Sequence, residues 1–460
     1  MTSAARPKAL YEGVAALSEK AADFAAARPA PPWLQKLRRT GLAAFERQGF
    51  PSTNDEDWRF TNLAPLTRAV FALPPDDVSL AERTEALEME ARLGTIGFSA
   101  SEPRLAFVNG RRLRRNVGPL PPGIFFEWMG TVLRDSPELV EKALVASAAA
   151  GNGARSSFAA LGDAFLDEGV VLRVAAGVRL EEPLFILHVS TPPASSEAPR
   201  MVHTRNLFSL AEDSSATVIE AYLGSSGPSF MNARTDVSLA RSARLHHIKL
   251  QLEGTESFHV GTLAVAHAAG ATSASHVFSF GGKLVRNEVA IGLAGEGAAT
   301  ELNGLFCANS GQHVDCHTLI DHVAPRATST ELYKGVLDGT GRGVFDGRIA
   351  VRRGAVRTDA RQTNRNLILS DNALVDSKPQ LEIENNDVRC SHGSTTGRLD
   401  ADAVFYLRSR GLSLEAARAL LTYAFGSEMI EKLASADVKA FLEGRLRAWL
   451  PAKLATPENR

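Results

Sequence analysis

Apolar and polar positions follow two different rhythms along this chain, with a change near Gly169. Before it, helical spacing dominates. Val14 to Ala27 is mostly alanine, with Glu19 and Lys20 among them, and predicts a helix that Pro29, Pro31 and Pro32 stop. Trp33 to Gln48 places apolar and basic residues at helical spacing. Ser52 to Leu63 reads as a polar loop that carries Trp58 and Phe60, and Leu73 to Asp77 as a turn or linker. Leu105 to Gly110 predicts a strand ending in a turn, and Ser136 to Ala150 a further helix closed by Gly151-Asn-Gly153.

From Gly169 onward short β-type runs recur between small, turn-forming residues. Alanines follow polar or glycine-containing corners at Ala216, Ala243, Ala271, Ala298, Ala327 and Ala355, in steps of 27, 28, 27, 29 and 28 residues. No helix-spaced segment separates them, which argues against a doubly wound α/β sheet. A regular step of short strands predicts a β-solenoid, each turn burying its face on the next. A β-sandwich would need hairpins, and two-residue turn signals are few: Asn303-Gly304, Asp338-Gly339 and Asp346-Gly347.

Past Gly393 helical spacing returns. Leu399 to Asp402 caps a helix running from Ala403 to Arg410, and Gly411 ends it. Ser413 opens a second helix as N-cap, and Ser435 to Trp449 forms a third. Pro451 and the tail from Thr456 are expected to fray. The expected division is an N-terminal helical region (1–100), a mixed connection (101–168), a mainly β core (169–395) and a C-terminal helical domain (396–460).

Composition narrows the function classes. The chain has 460 residues and a formal net charge of -1, so its overall balance suggests neither a nucleic-acid binder nor a membrane-surface protein. Met1 to Leu10 lacks the apolar run of a signal peptide, and no apolar stretch is long enough to span a bilayer. Three cysteines make no disulfide framework. A cytoplasmic location is the expectation. There is no phosphate-binding G-x-x-x-x-G-K-[ST] loop, no G-x-S-x-G elbow, no H-E-x-x-H and no C-x-x-C pair.

Histidine is segregated: all eleven lie between His188 and His392. Cys390 and His392 stand two apart at the end of a strand-like run, so thiolate and imidazole point to one side. Those groups suit zinc, copper or an iron–sulfur cluster, but two ligands do not complete a site. Val388 shares that face, and a buried structural pair is the competing reading. His313, Asp315 and His317 share one strand face and form a weaker metal candidate; an exposed polar ladder is favoured over it. Cys316 and Cys307 read as core. His246 and His247 face opposite ways and do not act as a pair. Arg342, Arg348, Arg352, Arg353, Arg357, Arg361 and Arg365 read as a solvated face, or as a surface for an acidic partner.

A longer pattern carries a resemblance. Gln362-Thr-Asn-Arg-Asn-Leu-Ile-Leu-Ser, Lys378-Pro-Gln-Leu-Glu-Ile, Arg389-Cys-Ser-His-Gly393 and Phe405-Tyr-Leu-Arg-Ser-Arg-Gly411 follow in order. Together with Gln312-His-Val-Asp315 and His322 they resemble the SufB/SufD family of iron–sulfur assembly scaffolds, from about Arg155 to Leu433. The loop Asp55-Glu-Asp-Trp-Arg-Phe-Thr-Asn-Leu63 looks like that of its SufD-type branch.

The resemblance implies a right-handed β-helix between helical ends, and a non-catalytic scaffold. It implies a complex with SufB and two copies of the SufC ATPase. SufC would dock on the C-terminal helices between Leu399 and Leu433, with Phe405, Tyr406, Leu407, Arg410, Tyr423, Phe425 and Glu428 as candidates. SufB would add to the last solenoid strands, edge to edge. His392 matches the family histidine thought to help hold a transient cluster shared with SufB, while the role of Cys390 is less defined. The isolated chain would hold no cluster, and its free edge would allow homodimers. Two other readings stay open: a carbohydrate-active β-helix enzyme and a stand-alone metal-binding solenoid.

Overall fold

The computed structural model describes residues 8–94, 103–118, 120–149, 156–192, 197–225 and 227–450. The alanine ladder sits at the corners where the chain enters one of its two sheets. Ala243, Ala271, Ala298 and Ala327 stack in register there and are fully buried, while Ser214 takes that place one coil earlier and Thr358 one coil later, so the predicted Ala216 and Ala355 fall off the column. Directly before the four stacked alanines the backbone is left-handed, with φ of 58° at Ser242, 66° at Gly270, 69° at Gly297 and 58° at Arg326. That conformation turns each N–H onto the corner of the next coil. Ser242 donates to the Ala269 carbonyl, Gly270 to Glu296, Gly297 to Pro325 and Arg326 to Val356, at 2.8–3.0 Å.

The corners join two parallel sheets. From Val170–Val174 to Val388–Gly397 successive strands alternate between a nine-stranded and a ten-stranded sheet, and each pairs with the strand two places on. This is a β-solenoid of about seven turns, as the repeat predicts. Asn303-Gly304 and Asp346-Gly347 lie inside strands, and Asp338-Gly339 forms a corner, so none is a hairpin. Antiparallel pairing occurs at the start, where Arg104–Val108 folds back on Arg111–Asn116 and Ile124–Trp128 pairs with Val170–Val174.

Between the sheets runs an apolar core that includes Leu172, Val218, Leu245, Val289, Phe306, Phe345 and Ile349. The outer faces are covered by helices. Lys8–Ala27, Pro32–Gln48 and Ser157–Ala164 pack with the outer residues Phe230, Phe258 and Leu284 of the nine-stranded sheet. Leu414–Ile430 and Ala436–Trp449 bring Met429, Ile430, Phe441 and Leu446 onto Leu250, Phe278, Leu305 and Cys307 of the other. Caps match expectation: Ser413 accepts from the Ala416 N–H and Ser435 from Val438, while Gly411 takes a φ of 95° beyond Ala401–Ser409.

The first predicted helix begins earlier, at Lys8, and that from Ser136 spans Pro137–Ala149. Its closing Gly151-Asn-Gly153 and the tail from Pro451 lie outside the described residues. Four further α-helices were not predicted: Ala64–Thr67, Leu80–Gly94, Met129–Asp135 and Ser157–Ala164.

Candidate cluster site at the open end of the solenoid

Among the described residues the solenoid ends without a lid. Leu374–Ile383 and Val388–Gly397 are the last strands of their sheets, and each bonds to one neighbour. Inward positions that are fully buried in earlier coils are here half-buried or exposed. Val388 and Cys390 pack against the core, as do Val375 and Leu381 across the lumen. Ser394 turns inward too, 2.7 Å from the Ser377 hydroxyl. His392 lies between Cys390 and Ser394 on the same pleated face, so it looks into the mouth of the solenoid and is exposed there.

The predicted pair therefore does share a face, and that face is both inward and open. Burial pushes the Cys390 thiol up from its ordinary value, against a hydrogen bond from the Ala360 backbone. At neutral pH it is therefore a protonated thiol. Cys307 and Cys316 are fully buried, with burial driving both thiols far up, in line with their reading as core.

His313, Asp315 and His317 do come together, but not as an exposed ladder. Asp315 is buried because the loop after the second helix lies over it. Thr61 Oγ1 donates to Asp315 Oδ2 at 2.5 Å and sits 2.9 Å from His313 Nε2. Arg286 Nη1 donates to the same carboxylate at 2.7 Å, and His317 Nε2 lies 3.0 Å from Oδ1. The Arg286 guanidinium stacks 3.8 Å from the Trp58 ring centre and also bonds the Asp57 carbonyl at 2.8 Å. Burial alone would raise the Asp315 pKa. The His317 and Arg286 charges and the bonds from His317 and Thr61 overcome it and hold the carboxyl far below its usual range. The Oδ2 of this carboxylate is committed to protein donors, and Oδ1 faces His317. No group of three His, Cys, Asp or Glu side chains among the described residues forms a metal site.

The comparisons with known proteins fit this geometry. Residues 193–425 match the family described as "SUF system FeS cluster assembly, SufBD core domain", and residues 17–186 match the SufBD N-terminal region. The chain belongs to the SufBD family. It is similar to the iron–sulfur cluster assembly protein SufD of Escherichia coli, at 32% identity over 91% of this chain and 92% of that protein. A Synechocystis SufBD family protein is 30% identical over 86% of each chain. The chloroplastic protein ABCI7 of Arabidopsis thaliana is 29% identical over 92% of this chain and 88% of its own length.

Within this SufBD chain the Trp58 loop also reaches the open end. Lys378, on the penultimate strand, pairs with Glu56 and lies 3.7 Å from Asp346, to which Gln380 donates at 2.8 Å. The C-terminal helices present two kinds of residue. Phe405 and Tyr406 are 73% and 56% exposed, on a helix with no buried side chain, and the Arg410 guanidinium lies 5.1 Å from the Tyr406 ring centre. Leu407 is half-buried. Phe425 and Glu428 instead hold a helix to the solenoid through Lys334, which bonds the Phe425 carbonyl at 2.9 Å, lies 4.3 Å from its ring centre and pairs with Glu428. Tyr423 accepts a hydrogen bond from Arg447 at 2.9 Å. The arginine run is a surface of ion pairs, with Arg352 to Asp321 at 2.7 Å and Arg361 to Asp359 at 3.2 Å.

In the sequence Gln362, Asn364 and Asn366 stand within the family pattern without an assigned role; they project inward just beneath the mouth and are buried. The signal was present, since three polar residues at alternate strand positions place one polar row on one face.

Proposed function

We propose that this chain is a non-catalytic scaffold subunit for iron–sulfur cluster assembly, and that its open solenoid end forms one half of a shared cluster site. The observation that carries this is the coincidence at one place of two unpaired strand edges, an uncovered core and the inward-facing Cys390 and His392. Uncovered apolar residues and free backbone donors mark a surface that another chain completes. A SufB-type partner adding its own last strands would continue both sheets. Its thiolates would supply the ligands that one thiol and one imidazole lack.

In this reading the cluster is cargo. His392 offers a ring nitrogen and Cys390 a thiolate once metal approaches, and the closed mouth excludes water. The C-terminal helices, with Phe405, Tyr406 and Arg410 outward, would receive the SufC ATPase. Nucleotide-driven closure of SufC would pull on those helices and loosen the mouth, which gives a route to release. All three cysteines are free, in keeping with a reducing compartment. No described helix is long and apolar enough to cross a membrane.

Hydrogen exchange tests the docking geometry. Adding SufB and SufC to the purified chain should protect backbone amides in 374–383 and 388–397, and in the helix Ala401–Ser409. Unchanged exchange in both strands of a formed complex would rule out docking at this end.

A further inference from the structure

The inward row on the strand Thr358–Ile368 is hydrogen-bonded almost throughout. Asn366 Nδ2 donates to Asn364 Oδ1 at 2.6 Å, Ser377 donates to the same oxygen at 2.8 Å, and Asn364 Nδ2 reaches the Tyr333 carbonyl at 3.2 Å. Gln362 is the exception. Its Nε2 donates to Glu331 Oε2 at 2.7 Å, from the residue in register one coil earlier. Its Oε1 is buried and has no hydrogen-bond partner.

That orientation follows from the donor chemistry. A carboxylate oxygen accepts, so the Gln362 NH₂ faces Glu331 and the carbonyl is turned away from it. Space for the amide comes from Gly347 across the lumen, where a Cβ would lie 2.4 Å from Nε2. A buried amide oxygen left unpaired costs about 1–3 kcal/mol. The residue in register on the other side is His392, on the same inward face. The other nearby hydroxyl in the mouth, Ser394, is already engaged with Ser377 and Asn364.

We propose that Gln362 is the positioning residue for His392: its Oε1 receives one ring N–H, which fixes the tautomer and turns the second ring nitrogen toward the mouth. A neutral imidazole has one donor and one acceptor nitrogen, so satisfying the first defines the second. Ligating histidines commonly have their other N–H held in this way. Glu331 acts one step further back, by holding the Gln362 amide. The proposal deepens, and rests on, the reading of His392 as a cluster-facing group.

The test reads the His392 ring nitrogens by NMR in the full chain with isotope-labelled histidine, at a pH where the ring is neutral. The wild-type chain should show a single tautomer. Gln362→Met, which keeps bulk but removes the acceptor, should lose it and give the mixture of an exposed histidine. An identical pattern in both folded proteins would overturn the proposal. If Gln362→Met does not fold, the wild-type spectrum alone carries the test: a mixture of tautomers at His392 in the folded chain overturns the proposal. Cluster formation by His392→Ala in the complex is read separately. Unchanged cluster with a tautomer that depends on Gln362 would overturn the ligand reading and leave the hydrogen bond standing.

Discussion

Thr61 and Asp315 are 254 residues apart in sequence, and their side chains meet at 2.5 Å. Through that contact the N-terminal loop closes over a carboxylate that also holds Arg286 at 2.7 Å. Asp315→Asn leaves the buried Arg286 with Glu288 as its remaining charged partner. Removing one member of a buried ion pair costs about 3 kcal/mol or more. The variant should therefore unfold at lower denaturant, read by circular dichroism. The pH dependence has a definite sign. A carboxyl depressed in the folded state stabilises above its unfolded pKa, and that stability is lost as pH falls through the folded value. The wild-type advantage over Asp315→Asn should thus be full at neutral pH and shrink as pH drops below the ordinary carboxylate range.

Glu331 has the opposite sign. Burial pushes its pKa up to about 7, against the hydrogen bond from Gln362. Ionising it in the folded chain is costly, so it lowers stability progressively as pH rises from the unfolded carboxyl range toward 7. Glu331→Gln should match the wild type at acid pH. At and above neutral pH it should be more stable by roughly 3 kcal/mol, from the size of the shift. Urea melts across that range check it.

The C-terminal helices separate docking from anchoring. Phe405→Ala and Tyr406→Ala remove exposed side chains and should change stability by less than about 0.5 kcal/mol while weakening SufC binding. Glu428→Ala should behave differently, because it leaves the buried Lys334 ammonium with the Phe425 carbonyl and ring. A stability loss of about 1–3 kcal/mol is expected. Calorimetric titration with SufC alongside thermal melts distinguishes the two.

The corner ladder makes a packing prediction. Ala298 is fully buried between stacked corners. Ala298→Leu should overpack the column and cost about 1–3 kcal/mol, read as a lower melting temperature.

What the sequence made legible was whatever repeats. The alanine step marks corners where coils stack, so Ala243, Ala271, Ala298 and Ala327 could be located with no structure, whereas Ala216 and Ala355 miss the column that Ser214 and Thr358 complete. The face shared by Cys390 and His392 followed from strand pleating alone. Four α-helices escaped notice. Leu80–Gly94 is charged along much of its length and buries few side chains, such as Ala86 and Glu90, so its periodicity is weak. The burial of Asp315 was invisible because its cover comes from Thr61 and Trp58, far away in sequence. Pleating placed His313, Asp315 and His317 on one face but carried no information about what lies above that face.

Cluster content of the assembled complex tests the central claim most directly. The chain is co-expressed with SufB and SufC, reconstituted anaerobically with iron and sulfide, and compared with His392→Ala by visible absorption at equal subunit ratio. The account predicts an intact complex whose cluster absorption falls in the variant. An intact complex with undiminished absorption would contradict it, and would place the cluster wholly on other residues.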